Sequence, residues 1–357
     1  MKKFINTPKD FVTELLQGIE AAHASQLLAR TDARIVFRKD SPIPGKVGLV
    51  AGGGSGHEPL HAGYVGYGML DAACVGEVFT GPSDQQISQA IRQVDSGAGV
   101  LLIAGNYVGD VINFESALLQ GRQAGKRILH VIIDDDVAAS DSLYSEGRRG
   151  LGTTVIAEKI CGAAAEMGYP LSDLAELCYR INASGRSIGT ALAPCVLPGV
   201  GKPSFEIGAG EMEFGVGMHG EPGRERLPFT HADEVTELMV STLLGDGTYV
   251  RTTREWDERH DGWRERELVS RSLRSGDSVL ALVSGMGGTP LSELYVIYRK
   301  LQQVCERNGI TIARCLVGSY ITALETQGCS MTLLRVDDEM IGLWDHPVRT
   351  PGLRWGA

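Results

Sequence analysis

The first half of the chain alternates short apolar runs with stretches of helical periodicity. Lys46–Ala51 (KVGLVA) runs into glycines, Gly99–Ala104 (GVLLIA) into Gly105-Asn106-Tyr107, and Arg127–Ile133 (RILHVII) into three aspartates. Between them, Asp84–Gln93 and Phe114–Ala124 have helical spacing, and a glycine closes each one nearby. Strand, polar loop and helix repeating in this order predict a mostly parallel sheet with helices on both faces. In such sheets the functional loops gather at the carboxyl ends of the strands, so the segments 52–59, 105–113 and 134–142 are expected to converge.

An alanine-rich helix is predicted over Thr153–Met167, stopped by Gly168. The texture changes after Gly185. Ser187–Pro198 and Ser204–Val216 are dense in glycine, proline and short alternating segments. Asp233–Leu244 then reads as helix, Asp277–Val283 as strand, Leu291–Arg307 as a long amphipathic helix, and Ile310–Val317 and Ser330–Val336 as further strands. The expectation is an α/β chain of two domains: residues 1–185, and residues 186–357 as a mixed α+β unit. The tail from 337, with two prolines and two tryptophans in Trp344–Ala357, is expected to lie along a surface and return to the first domain.

Composition narrows the function classes. At 357 residues, with 43% hydrophobic and 22% charged positions, the chain has enough apolar material for two cores. No apolar run reaches the ~20 residues of a membrane-spanning helix. Met1–Glu20 is charged and amphipathic, without a signal-peptide core, so a cytoplasmic protein is expected. Seven cysteines without a CxxC pair, mostly in apolar stretches, read as reduced packing residues. A net charge of −10 without a basic cluster argues against nucleic acid and anionic membranes as partners.

Three segments could carry chemistry. Gly52-Gly53-Gly54-Ser55-Gly56-His57-Glu58-Pro59 offers backbone freedom next to a titratable imidazole, with Pro59 suited to open a helix aimed at the same spot. A plain strand-to-helix turn is the alternative. A phosphate-binding Walker loop would need a lysine, and a dinucleotide fingerprint a third glycine where His57 stands. His57-Glu58-Pro59-Leu60-His61 spells HExxH, but glycines before it and Pro59 within it deny both histidines one helix face, so no metal is expected.

In Gly105-Asn106-Tyr107-Val108-Gly109-Asp110, Asp110 reads either as a cap or turn residue or as a carboxylate delivered to a pocket shared with His57. In Gly215-Val216-Gly217-Met218-His219-Gly220-Glu221-Pro222, flanking glycines expose His219 as a possible nucleophile, against the common case of a structural histidine. The other histidines read as surface or core residues.

These segments, with the IDDDVA–DSLY–GRRG stretch (133–150), the KPSF…EMEFGxGxHGEPG stretch (202–223), GxTPLSELY (287–295) and the terminal LWDxPVxTPxLxWG, closely resemble the dihydroxyacetone-binding K subunit of dihydroxyacetone kinases. The resemblance runs from end to end. It implies a ketose bound covalently as a hemiaminal on His219, acid–base roles for His57 and Asp110, and substrate contacts from Gly54, Ser55 and Gly56. It also implies a nucleotide, ADP or ATP with magnesium, on a separate L subunit rather than in this chain. A homodimer, and recharging by a phosphotransferase-system M subunit in one branch, belong to the same expectation.

One position departs. The family usually has a lysine directly before Asn-Tyr; here Gly105 stands there, removing a cation from the pocket wall. A hydrogen bond to a charged group contributes ~1.5–3 kcal/mol, so substrate choice is the property this change bears on, with a four-carbon ketose able to use the added room. The alternative reading is a non-catalytic ketose sensor that regulates a kinase or a transcription factor.

Overall fold

Two six-stranded sheets organise the chain in the computed structural model, which describes residues 2–138 and 147–356. The first sheet contains β1 (Leu27–Arg30), β2 (Ile35–Arg38), β3 (Gly48–Ser55), β4 (Ala72–Val78), β5 (Val100–Gly105) and β6 (Ile128–Ile133), in the order β1-β2-β4-β3-β5-β6. Strands β4, β3, β5 and β6 run parallel, while β1 and β2 form an antiparallel edge. Helix α1 (Phe11–His23) packs beside β1. Helices α2 (Asp84–Val94) and α3 (Val108–Gln123) cover one face through Ile87, Ile91, Phe114 and Leu118. Ser83 and Gln86 start α2 with a reciprocal capping box, which satisfies backbone donors the first turn would leave bare.

Helices α4 (Thr153–Glu166) and α5 (Leu171–Ser184) cover the opposite face. The chain then forms β7 (Gly185–Ala193), β8 (Glu211–Phe214), β9 (Glu225–Pro228), α6 (Ala232–Gly245) and a hairpin of β10 (Tyr249–Asp257) and β11 (Gly262–Ser270). After these come β12 (Ser278–Gly285), α7 (Leu291–Arg307), β13 (Thr311–Gly318), β14 (Gln327–Arg335), α8 (Asp338–Asp345), β15 (Val348–Arg349) and β16 (Arg354–Trp355). The second sheet is mixed, in the order β13-β12-β14-β7-β8-β9. Helices α6 and α7 bury Met239 and Leu301 against Val283 and Met331 on its outer face.

Its inner face shares a core with the first sheet. One apolar cluster joins Leu101 and Ile103 of β5 to Val155 and Ile160 of α4 and to Leu282 and Leu334 of the second sheet. Helices α4 and α5 are apolar enough to face both sheets at once, which explains their near-continuous burial. The tail lies against the connection between β3 and β4: Arg349 N–H donates to the Tyr67 carbonyl (2.9 Å) and Gly352 N–H to that of Gly63 (2.7 Å).

Several expectations change. The hairpin β10–β11 has alternating exposure and many charged residues, a weak signal in sequence; Arg251 ties it to Asp134 at the end of β6. Helix α3 begins six residues before the expected Phe114, at Val108. Six cysteines are buried, whereas Cys315 is exposed. Among the described residues no helix is long and apolar enough to cross a membrane.

Candidate active site

The glycine-rich stretch is strand rather than loop. Gly52, Gly53, Gly54 and Ser55 continue β3, all buried. A Cβ on Gly54 would stand 2.6 Å from the Thr80 nitrogen and 2.8 Å from the Phe79 Cα, so the bare glycine lets segment 79–81 cross the strand end. Gly56 has φ +99°, where an L side chain is strained. No α-helix opens at Pro59. The chain makes a turn and a single 3₁₀ turn at Ala62–Tyr64, so the expected helix N-terminus is absent. The Ser55 hydroxyl donates to the Gly76 carbonyl at 2.7 Å, which commits its proton to β4 rather than to a ligand.

His57 follows this strand and is fully buried. Its Nδ1 lies 2.8 Å from the Thr322 carbonyl. A carbonyl only accepts, so Nδ1 carries the proton and Nε2 keeps the lone pair; Nε2 is buried with no partner among the described residues. Burial holds the imidazole down to about 3, helped by neighbouring His219 and His61. The ring stacks on Phe79 at 5.1 Å between centroids.

His219 arrives from the other half of the chain. Its ring lies 5.0 Å from that of His57, 5.9 Å from Phe79 and 4.2 Å, edge-on, from Tyr107. Burial, with the Arg149 cation adding to it, holds this imidazole near 3 as well. Both rings are therefore neutral at pH 7.

Asp110 sits in the first turn of α3, not in the preceding loop. It is buried, its Oδ1 has no hydrogen-bond partner among the described residues, and burial pushes its carboxyl up to about 7, opposed by His61. The side chain occupies the space over Gly81, where a Cβ would lie 1.9 Å from Oδ1. Asp110 and His57 thus contact the same segment, Phe79–Gly81, from two sides. Gly105 closes β5 against Tyr107 and Gly150; a Cβ there would meet the Tyr107 ring at 3.3 Å. A side chain at 105 would press on the residue that abuts His219.

The groups that hold the His219 loop fall within the 133–150 and 202–223 motifs, but sequence spacing did not pair them. Arg149 donates to Asp136 (2.8 Å), Glu221 (2.8 Å) and the Gly215 carbonyl (2.7 Å), all buried. Gly217 must lack a side chain because Glu221 Oε1 fills that space, 1.9 Å from a would-be Cβ. Asp136 follows β6 in the loop, so the loops after β3, β5 and β6 meet at His219 over residues 134–138; positions 139–142 of the third loop lie outside the described residues, as does the whole DSLY motif. Within the HExxH string, His57 Nδ1 donates to the Thr322 carbonyl (2.8 Å) and His61 Nδ1 donates to Glu158 (2.5 Å). Among the described residues, no three His, Cys, Asp or Glu side chains stand together as metal ligands.

Comparison with known proteins agrees with this assembly of motifs. A Dak1 domain is matched over residues 17–352. The chain belongs to the Dak1 family. It is 51% identical, over the full length of both chains, to the dihydroxyacetone-binding subunit DhaK of the PEP-dependent dihydroxyacetone kinase of Escherichia coli K12. Among solved structures, this Dak1 chain resembles the dihydroxyacetone kinase of C. freundii in complex with AMP-PNP and Mg2+, with a TM-score of 0.85 and 30% identity. That match covers 99% of this chain and 61% of the other. The dihydroxyacetone kinase operon co-activator DhaQ superposes with a TM-score of 0.82 at 30% identity, over 95% of this chain and 97% of that one.

Proposed function

We propose that this chain is the ketose-capturing subunit of a dihydroxyacetone-type kinase. His219 takes the carbonyl carbon of dihydroxyacetone, or of a four-carbon ketose, as a hemiaminal. The imidazole lone pair forms the N–C bond, the carbonyl π pair moves to oxygen, and the proton given up by the ring's other nitrogen ends on that oxygen. Glycerol has no carbonyl and is not captured. Asp110 and His57 both contact a terminal hydroxyl, and one of the two bases takes its proton as the oxygen bonds to phosphorus and the nucleotide leaves with the electron pair of the broken P–O bond. Backbone at Gly54 and Gly56 borders the ketose.

The observation that carries this reading is the meeting of His219 with His57, two neutral imidazoles from opposite halves of the chain at 5.0 Å. Neutrality supports both roles, since a protonated ring has no lone pair to attack with or to accept a proton.

The phosphoryl group is supplied by a nucleotide with magnesium on a separate L subunit, so the chain alone does not phosphorylate. The PEP dependence of the E. coli relative supports recharging through a phosphotransferase-system M subunit. The working unit is a cytoplasmic homodimer.

The test mixes the purified chain with an L subunit, magnesium, a phosphoryl donor and a panel of three- and four-carbon ketoses. Turnover is expected, together with a native mass gain of one intact ketose that His219→Ala abolishes. Absence of turnover with every ketose would overturn the reading. The likeness to the DhaQ co-activator and the glycine at 105 favour one second reading, a ketose sensor; a full adduct without any turnover would point there.

A further inference from the structure

The segment that crosses the end of β3 carries a backbone outlier. Phe79 has φ +54°, a conformation that glycine adopts freely and a bulky side chain rarely does. Strain of this kind persists only where the surroundings enforce it, and it gathers at functional sites. Backbone bonds and bare glycines enforce it in this chain. Phe79 N–H donates to the Ser55 carbonyl at 3.0 Å, and Thr80 N–H to that of Glu77 at 3.0 Å, closing a turn at the end of β4. A Cβ on Gly54 would stand 2.8 Å from the Phe79 Cα, and one on Gly56 would stand 2.8 Å from the ring at Cε1. The bare edge of the glycine motif is therefore a seat for Phe79.

The ring does not serve a core. Phe79 is half-buried and belongs to none of the apolar clusters among the described residues. Its aromatic neighbours are the two imidazoles of the site. It stacks on His57 with centroids 5.1 Å apart and planes 16° from parallel, and it lies 5.9 Å from His219 at 53°. The bond from His57 Nδ1 to the Thr322 carbonyl fixes one ring atom but not the ring plane. The parallel phenyl face fixes the plane. Phe79 is half-buried and the imidazole beneath it fully buried, which puts the phenyl ring on the solvent side of the pair.

We propose that Phe79 is a positioning residue, whose strained backbone presses a flat ring on His57, holds the imidazole plane and keeps water from Nε2 until the ketose hydroxyl arrives. The stack does by contact what a second hydrogen bond would do, and so leaves Nε2 free as an acceptor. This rests on the acid–base role given above to His57.

The test reads the His57 imidazole directly, by nitrogen-15 NMR of the full chain with labelled histidine, the His57 resonances being assigned by their loss in His57→Asn. Wild type is expected to hold the proton on Nδ1, as the bond to Thr322 requires. Phe79→Ala and Phe79→Leu should show both tautomers in exchange, whereas Phe79→Tyr, which keeps the flat face, should give the wild-type spectrum. In the complex with an L subunit, kcat of the Ala and Leu variants is expected to fall about a hundredfold. Their KM for ketose and the native adduct mass on His219 should stay at wild-type values, and Phe79→Tyr should turn over like wild type. A single Nδ1–H tautomer in Phe79→Leu overturns the proposal. That variant keeps most of the apolar volume, so it decides the matter if Phe79→Ala fails to fold. A rate lost equally in Phe79→Tyr also overturns it. The spectrum needs no turnover, so failure of the kinase reading, seen as wild type without adduct or turnover, is recognised separately.

Discussion

Asp110 costs stability, and its pH signature follows from burial. Its carboxyl is raised from 3.8 to about 7, so between these values the folded chain binds its proton more tightly than the unfolded chain does. Stability therefore falls as pH rises through that window. Asp110→Asn keeps the shape and removes the charge. It is expected to raise Tm more at pH 8 than at pH 4 and to lower turnover by ~10²–10⁴. A Tm gain equal at both pH values would contradict the assignment. His57 and His219 act in the opposite sense. Both are held near 3 instead of 6.5, so the unfolded chain takes up their protons first. Their stabilising contribution is complete above 6.5 and is lost as pH falls toward 3.

At the scale of elements, the site depends on where α3 begins. The helix N-terminus favours a negative charge in its first turn. Burial without a hydrogen-bond partner outweighs that at Asp110, since the net shift is upward. What locates the carboxyl sideways is the bare surface of Gly81. In Gly81→Ala the new methyl would overlap Asp110 Oδ1, 1.9 Å away, and the side chain must rotate off the segment it shares with His57. A displacement near 1 Å costs about 10² in rate, so kcat should fall roughly a hundredfold while the circular dichroism spectrum keeps its native form. Wild-type kcat in this variant would refute the placement. The Arg149 cluster plays the matching part for His219, pinning a glycine-rich loop that has little packing of its own.

At the scale of the molecule, the two sheets are fastened at the site itself. Thr322 accepts from His57 and its N–H donates to the His57 carbonyl (3.2 Å), while Leu324 N–H donates to the Gly56 carbonyl (2.7 Å). Together with the core shared through α4, these bonds leave neither half a complete interior of its own. Denaturant unfolding is expected to be a single transition. The tryptophans all belong to the second half, so their fluorescence and the far-ultraviolet circular dichroism should have coincident midpoints. Two separated transitions would mean that the halves fold independently.

The alternation of apolar runs and helices was enough to predict parallel strands at 46–51, 99–104 and 127–133, found at 48–55, 100–105 and 128–133, because strands buried on both faces must be apolar throughout. Glycine spacing and titratable residues likewise singled out His57, Asp110 and His219 as candidates. Local pattern failed where distant contacts decide conformation: the glycines after Ala51 stay in β3, packed against Cys74, His61 and segment 79–80, and the Asp110 side chain in α3 lies over the bare surface of Gly81. The charged hairpin gave no sequence signal, and local pattern could not pair Arg149 with Asp136 and Glu221 or His61 with Glu158. Their partners lie tens to hundreds of residues apart, and a buried charge is tolerated only once the fold brings its counter-charge to it.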